Sequence, residues 1–174
     1  NREVLMETYK LHRPTSFDGI YGQKNVVQML RSKLKANDIP HTILLQGPSG
    51  CGKTTIARIL ARELGCVKRE CVEINAATDN GVATVRAIED RVYLAPTGKC
   101  RVWILDECHQ LTSQAQAALL KITEETPGHV YFMMATTDPQ KIIPTLRSRA
   151  TPLKIETISR EDMTRLLADT VKTL

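Results

Sequence analysis

The stretch Gln46-Gly47-Pro48-Ser49-Gly50-Cys51-Gly52-Lys53-Thr54-Thr55 constrains this chain more than any other. It fits G-x-x-x-x-G-K-[ST] at Gly47, Gly52, Lys53 and Thr54. The apolar run Ile43-Leu44-Leu45 precedes it, and the helix-like Ile56-Ala57-Arg58-Ile59-Leu60-Ala61 follows. Strand, glycine-rich loop and helix, in that order, form the setting in which such a loop cradles phosphate. Glycines let successive backbone N–H groups turn inward, and the helix start adds its positive dipole end. Lys53 is suited to reach the β- and γ-phosphates of a nucleotide, and the Thr54 hydroxyl is suited to Mg²⁺. Pro48, Ser49, Gly50, Cys51 and Thr55 complete the candidate nucleotide-binding loop. A glycine-rich turn that fits by chance would leave both flanks unexplained.

The remaining chain alternates strand and helix patterns. Residues 1–22 hold Arg13-Pro14-Thr15-Ser16-Phe17 and Ile20-Tyr21-Gly22 and read as an irregular lead-in, since Pro14 pushes its predecessor out of helix. Val26, Val27, Leu30 and Leu34 predict a helix over 23–36, ended by Asn37-Asp38-Ile39-Pro40. Thr42 to Leu45 is expected to be a buried strand, with a helix from the loop to about Leu64 and a second strand from Cys71 to Ile74. A polar loop leads into a helix from Val82 to Val92, and Arg101 to Asp106 is an apolar strand ending in an acid. Thr112 and Ser113 open a helix to about Glu124, and Val130 to Thr136 is a fourth strand. Thr151 to Ile155 is a fifth, and Ser159 caps a last helix with Glu161 and Asp162 in its first turn. Such alternation predicts a parallel sheet covered on both faces.

Three further stretches carry chemistry. Val102 to Asp106 delivers an acid to the carboxyl edge of the sheet, where ligands bind in open α/β folds. Asp106 is suited to hold Mg²⁺ opposite Thr54, and Glu107 to act as general base on an attacking water. An acid pair at a strand end is common, but here it follows the phosphate loop in the right order. A dedicated base beside Mg²⁺ favours water over a small-molecule acceptor. Next, Ala135-Thr136-Thr137-Asp138 ends a strand in hydroxyls where a γ-phosphate would lie, although threonines are also simple β-formers. Last, Pro144-Thr145-Leu146-Arg147-Ser148-Arg149 presents two arginines near a turn. Either can be merely solvated, yet guanidinium is the group best fitted to neutralise a transferring phosphoryl.

The totals exclude several classes. At 174 residues and 42% hydrophobic content the chain suits one domain, or one domain and the start of a second. It opens on Asn1 and ends inside a helix-like segment, so it is expected to be a piece of a longer protein. No apolar run is long enough to span a membrane, and no signal peptide precedes the first motif. Five cysteines, an odd and irregular set, point to reduced thiols and a cytoplasmic setting. A net charge of +5 suits a polyanionic partner, while 4% aromatics argues against base stacking as the main binding mode.

Together the four stretches resemble the AAA+ ATPase domain of DNA polymerase clamp-loader subunits, bacterial polymerase III tau/gamma above all, with replication factor C small subunits also similar. The resemblance covers essentially the whole chain. It implies a P-loop NTPase with a five-stranded parallel sheet between helices, in the order 5-1-4-3-2. It divides the chain into an AAA+ nucleotide-binding domain over 1–157 and the start of a helical lid over 158–174. Arg13, Pro14 and Tyr21 lie in what resembles the family's nucleotide-binding lead-in. Asp106-Glu107-Cys108-His109-Gln110-Leu111 resembles its Walker B motif, Thr137 falls at its sensor position, and Ser148-Arg149-Ala150 stands where the family carries Ser-Arg-Cys. By that match Lys53, Glu107, Thr137 and Arg149 are the catalytic set. Arg149 would be a surface arginine with no partner of its own, acting on ATP in a neighbouring subunit. The cofactors implied are ATP and Mg²⁺. The partners implied are other loader subunits, a sliding clamp and primer–template DNA, in the cytoplasm of a bacterium or a virus-infected cell.

The sequence departs from that family at three places. Bacterial members carry a four-cysteine zinc module after the phosphate loop, whereas Leu64 to Cys71 offers only Cys66 and Cys71. Two thiols do not close a tetrahedral site, and His12, His41, His109 and His129 are distant in sequence, so zinc is not expected. The helix starts expected to approach DNA read Asp79-Asn80-Gly81-Val82 and Thr112-Ser113-Gln114, without Lys or Arg. Hydroxyls and helix N-termini still bind phosphate. Ala150 replaces the family's cysteine, with no mechanistic weight.

Overall fold

The computed structural model describes residues 13–173, so the first twelve residues of the lead-in and Leu174 lie outside the described residues. Five strands form one parallel sheet: β1 (Thr42–Gln46), β2 (Cys71–Asn75), β3 (Arg101–Asp106), β4 (Val130–Thr136) and β5 (Thr151–Lys154). Their spatial order is β2-β3-β4-β1-β5. Read from the other edge this is 5-1-4-3-2, as the resemblance implies. The helices are α1 (Lys24–Lys35), α2 (Lys53–Glu63), α3 (Val82–Val92), α4 (Ser113–Glu124), α5 (Pro144–Arg149) and α6 (Arg160–Thr173).

The near-continuous apolar strands follow from burial on both faces. Leu44, Trp103, Leu105, Phe132 and Met134 face one core with residues of α3 and α4. Ile43, Leu45, Val102, Ile104, Met133 and Ala135 alternate to the other core, with Ile56, Ile59 and Leu60 of α2. Truncating a fully buried leucine here to alanine costs about 2–5 kcal/mol.

Caps match the expected chemistry. The Thr112 hydroxyl accepts from Ala115 N–H at 3.2 Å, and the Ser159 hydroxyl accepts from Asp162 N–H at 3.1 Å. The short helix α5, over the paired arginines, was not anticipated from a segment of six residues that shows little period. Pro144 at its first turn supplies the local reason, because a missing N–H costs nothing there.

The register positions the site. Gln46 lies opposite Thr136, and Asn75 opposite Asp106. The carboxyl ends of β1, β3 and β4 therefore meet along one edge, where the loops carrying the candidate residues leave the sheet. At the opposite end, Glu70 and Arg101 form a buried ion pair at 2.7 Å. Glu70 also accepts from Thr97 N–H at 3.0 Å and from the Thr97 hydroxyl, which ties the start of β3 to the turn before it.

Candidate active site

The phosphate loop leaves β1 by a close approach. Gly47 N–H donates to Thr136 O at 3.2 Å, and a Cβ on Gly47 would lie 2.1 Å from Ile155 O. Only glycine fits there. Gly52 has φ 95° and immediately precedes Lys53, the first residue of α2, a conformation that side chains rarely adopt. The Lys53 side chain is buried, and its Nζ donates to Gly47 O at 2.9 Å and to Pro48 O at 2.8 Å. A cation is thus held inside the loop, at the mouth of a helix N-terminus.

Asp106, at the end of β3, meets the first turn of α2. The Thr54 hydroxyl donates to Asp106 Oδ2 at 3.0 Å, while Asp106 Oδ1 accepts Glu107 N–H at 3.0 Å. A hydroxyl and a carboxylate in contact, beside a phosphate cradle, are the hard oxygen donors that Mg²⁺ uses. The donor set fits that ion. Glu107 lies next in the chain, and the Thr137 hydroxyl donates to its Oε2 at 3.2 Å. The two threonines at the end of β4 therefore differ. Thr136 is fully buried and accepts Asp138 N–H at 3.0 Å, whereas Thr137 is exposed beside the acid.

Arg13, Pro14 and Tyr21 share a cavity of about 460 Å³ with Gly50, Cys51, Gly52 and Thr55. The lead-in and the phosphate loop thus form one recess, mainly apolar, of a size for a nucleoside. The far wall comes from Ile158 and from Met163, Leu166 and Leu167 of α6, residues to which the sequence reading gave no role. Their helical period was visible, but not the packing that turns it toward the loop. The Tyr21 hydroxyl donates to Asp169 at 2.7 Å and so ties lead-in to α6.

The two arginines of α5 are separable. Arg147 turns back on the chain, donating to Gln140 Oε1 at 2.9 Å and to Pro139 O at 3.3 Å. Arg149 is half-exposed and pairs with Glu124, at the end of α4, at 2.9 Å. The expectation of an arginine without its own partner is therefore corrected. The acid stands twenty-five positions earlier in the chain, and only the packing of α5 on α4 brings it there. Cys100 was also missed. It joins Cys66 and Cys71, and hydrogen bonding to Cys100 pushes the Cys66 thiol up to about 11.

Residues 43–156 match the ATPase family associated with various cellular activities. The chain belongs to this AAA family. It is similar to DNA polymerase III subunit gamma/tau of Mycobacterium bovis, with 38% identity over 187 aligned positions, 94% of this chain and 32% of that protein. DNA polymerase III subunit gamma of Buchnera aphidicola is 37% identical over 194 positions, 99% of this chain and 53% of its own length. The AAA chain thus spans about a third to a half of the curated relatives it matches. Among solved structures, a RuvB of Thermotoga maritima superimposes with a TM-score of 0.76 at 26% identity, over 93% of this chain and 54% of that one. No helix among the described residues is long and apolar enough to cross a membrane.

Proposed function

We propose that this AAA chain is the ATP-hydrolysing motor module of a sliding-clamp loader in DNA replication, using ATP to open a processivity clamp and place it on primed DNA. The observation that carries the proposal is the Thr137–Glu107 contact at 3.2 Å, beside a phosphate loop whose Thr54 already meets Asp106 at 3.0 Å. The polymerase III names of its relatives support the loader over other AAA machines.

In this reading the base and sugar of ATP enter the recess of Arg13, Pro14 and Tyr21. The triphosphate lies along residues 47–55, with Lys53 at the β- and γ-phosphates. Thr54 and Asp106 would hold Mg²⁺, which supplies neutralisation of charge on the transferring phosphoryl. Glu107 accepts a proton from water as the water oxygen bonds to the γ-phosphorus. The bond from that phosphorus to the bridging oxygen breaks and leaves ADP and inorganic phosphate. The proton then passes from Glu107 to solvent. Thr137 reports the γ-phosphate to Glu107, and Arg149 acts on the nucleotide of a neighbouring subunit.

We assign 1–157 to the nucleotide-binding domain and 158–174 to the opening of a helical lid, since α6 supplies a wall of the recess. DNA phosphates would meet the starts of α3 and α4, which lie together: Thr112 N–H donates to Asn80 O at 3.0 Å. The setting is cytoplasmic, with other loader subunits as partners.

The likeness to RuvB, a Holliday junction branch migration motor, favours a second reading as another DNA-processing ATPase. ATP-dependent capture of a ring-shaped clamp, set against capture of a four-way junction, decides between them. Glu107→Gln in the assembled complex is expected to abolish turnover. Unchanged turnover would instead mark a structural nucleotide-binding subunit.

A further inference from the structure

Glu107 leaves β3 in the left-handed region, with φ 50° and ψ 41°. A residue bearing a Cβ holds such a conformation only where its surroundings determine it. The side chain is about a third exposed, at 31%, so packing alone does not orient its carboxylate. The Thr137 hydroxyl reaches Oε2. On the same oxygen converges a second group that plays no part in the proposed step.

That group is His109. Its side chain is only 6% exposed, and Nδ1 lies 3.3 Å from Glu107 Oε2 and 3.1 Å from the buried Thr136 hydroxyl. The other ring nitrogen, Nε2, lies 3.0 Å from the Gln110 side-chain amide nitrogen. An amide NH₂ only donates, so Nε2 accepts and the ring proton sits on Nδ1. The Thr136 hydroxyl oxygen already accepts Asp138 N–H. The Nδ1–H therefore points at Thr136 Oγ1, and Glu107 Oε2 lies beside the same ring edge at 3.3 Å. The short helical turn Cys108–Gln110 closes this arrangement, with Gln110 N–H donating to Glu107 O at 2.8 Å.

We infer that His109 is a positioning residue for hydrolysis: its ring, anchored on Thr136 and with its proton placed by Gln110, sets its polar Nδ1 edge 3.3 Å from Glu107 Oε2 and so holds that carboxylate against the end of β4. Both contacts fall on Oε2, which in this proposal leaves Oε1 to meet the attacking water. Thr136 is thereby given a role as well. It anchors the imidazole from the strand carrying Thr137, and so couples the base to the segment that meets the γ-phosphate. The inference rests on Glu107 being the base, and it touches neither the nucleotide nor the metal ligands.

The test uses the full chain in its assembled complex, with turnover and nucleotide affinity measured separately. His109→Ala is expected to lower kcat by about 10- to 100-fold, the scale of a catalytic group left to wander by about an ångström. KM and the dissociation constant of a fluorescent ATP analogue should stay within about twofold, since His109 is not part of the phosphate cradle. His109→Asn, whose amide N–H stands near the Nδ1 position, should recover most of the loss. Gln110→Ala, an exposed change, should give a smaller fall in kcat by releasing the tautomer. Two results overturn the inference: turnover within about twofold of wild type in His109→Ala, or a fall in kcat matched by an equal fall in nucleotide affinity. If His109→Ala does not fold, loss of turnover in His109→Asn with affinity intact overturns it equally. Glu107→Gln run in parallel separates the layers. Should that variant turn over normally, the base assignment fails whatever His109 does. Should it be inactive while His109→Ala is not, only the positioning role fails.

Discussion

Arg149 Nη2 donates to Glu124 Oε1 at 2.9 Å, joining the last residue of α5 to the last residue of α4. Both side chains are nearly half-exposed, so the pair is one edge of a guanidinium held at the surface rather than a buried bridge. Such pairs contribute about 0.2–1 kcal/mol. A grip that weak restrains an arginine without committing it, as the proposed action on an adjoining subunit requires.

The first prediction follows from that imbalance. Glu124→Gln should lower the stability of the isolated chain by no more than about 1 kcal/mol in a denaturant melt. Arg149→Ala in the assembled complex should cut ATP turnover by at least about 100-fold, since an arginine finger is worth 10³–10⁵ in comparable phosphoryl transfers. Rapid turnover by a confirmed monomer carrying Arg149→Ala would remove the proposed action in trans.

The second concerns the metal. Asp106→Asn keeps an oxygen for the Thr54 hydroxyl, which now meets Oδ2 at 3.0 Å, but removes the charge that a hard cation prefers. The Mg²⁺ concentration giving half-maximal turnover should rise about tenfold or more. A Mg²⁺ titration superimposable on that of the unsubstituted chain would argue that Asp106 serves only to order the loop.

How far the residues alone revealed this site depends on the range of each contact. The phosphate loop was legible because residues 47–55 are contiguous and their flanks declare strand and helix. The sheet order was legible only through resemblance, since no local pattern tells β1 to lie between β4 and β5. Glu107 and Thr137 were each visible, yet their contact spans thirty positions and depends on β3 lying beside β4. The partner of Arg149 and the α6 wall of the recess were hidden for the same reason. His109 was hidden differently: it lies within the Asp106–Leu111 motif, but nothing in the order of residues says that its ring turns inward.

The third prediction is a pH dependence. Hydrogen bonds from Arg101 and Thr97 hold the Glu70 carboxyl down at about 2, against 4.5 for the free group. A lowered folded-state value contributes stability that is complete above the unfolded value and is lost as pH falls toward the folded one. Glu70 should therefore drive part of the acid unfolding between about pH 5 and pH 2. In Glu70→Gln the buried Arg101 loses its counter-charge, which costs about 3–5 kcal/mol at neutral pH, and the acid limb should flatten across that window. Melts recorded from pH 7 to pH 2 check both the size and the slope. Parallel curves for the two proteins would contradict the assignment.

The last prediction asks whether nucleotide occupies the loop at all. Cys51 lies within the loop, lines the recess and is partly exposed, with its sulfur 4.0 Å from Lys53 Nζ. A triphosphate lying along residues 47–55 would cover it. Cys66 is also partly exposed, but its thiol, pushed up to about 11, is too protonated to alkylate readily, so free glutathione added to the same reaction reports the activity of the reagent. With Mg-ATP at about ten times its dissociation constant, the free fraction of sites falls to about a tenth. Alkylation of Cys51 by iodoacetamide should slow by about the same factor, while that of the glutathione stays constant, both read in a mass spectrometer. ADP should protect as well, because the contact is with the loop rather than with the γ-phosphate. Equal Cys51 labelling with and without Mg-ATP, against steady glutathione labelling, would place the nucleotide elsewhere and take the rest of the site with it.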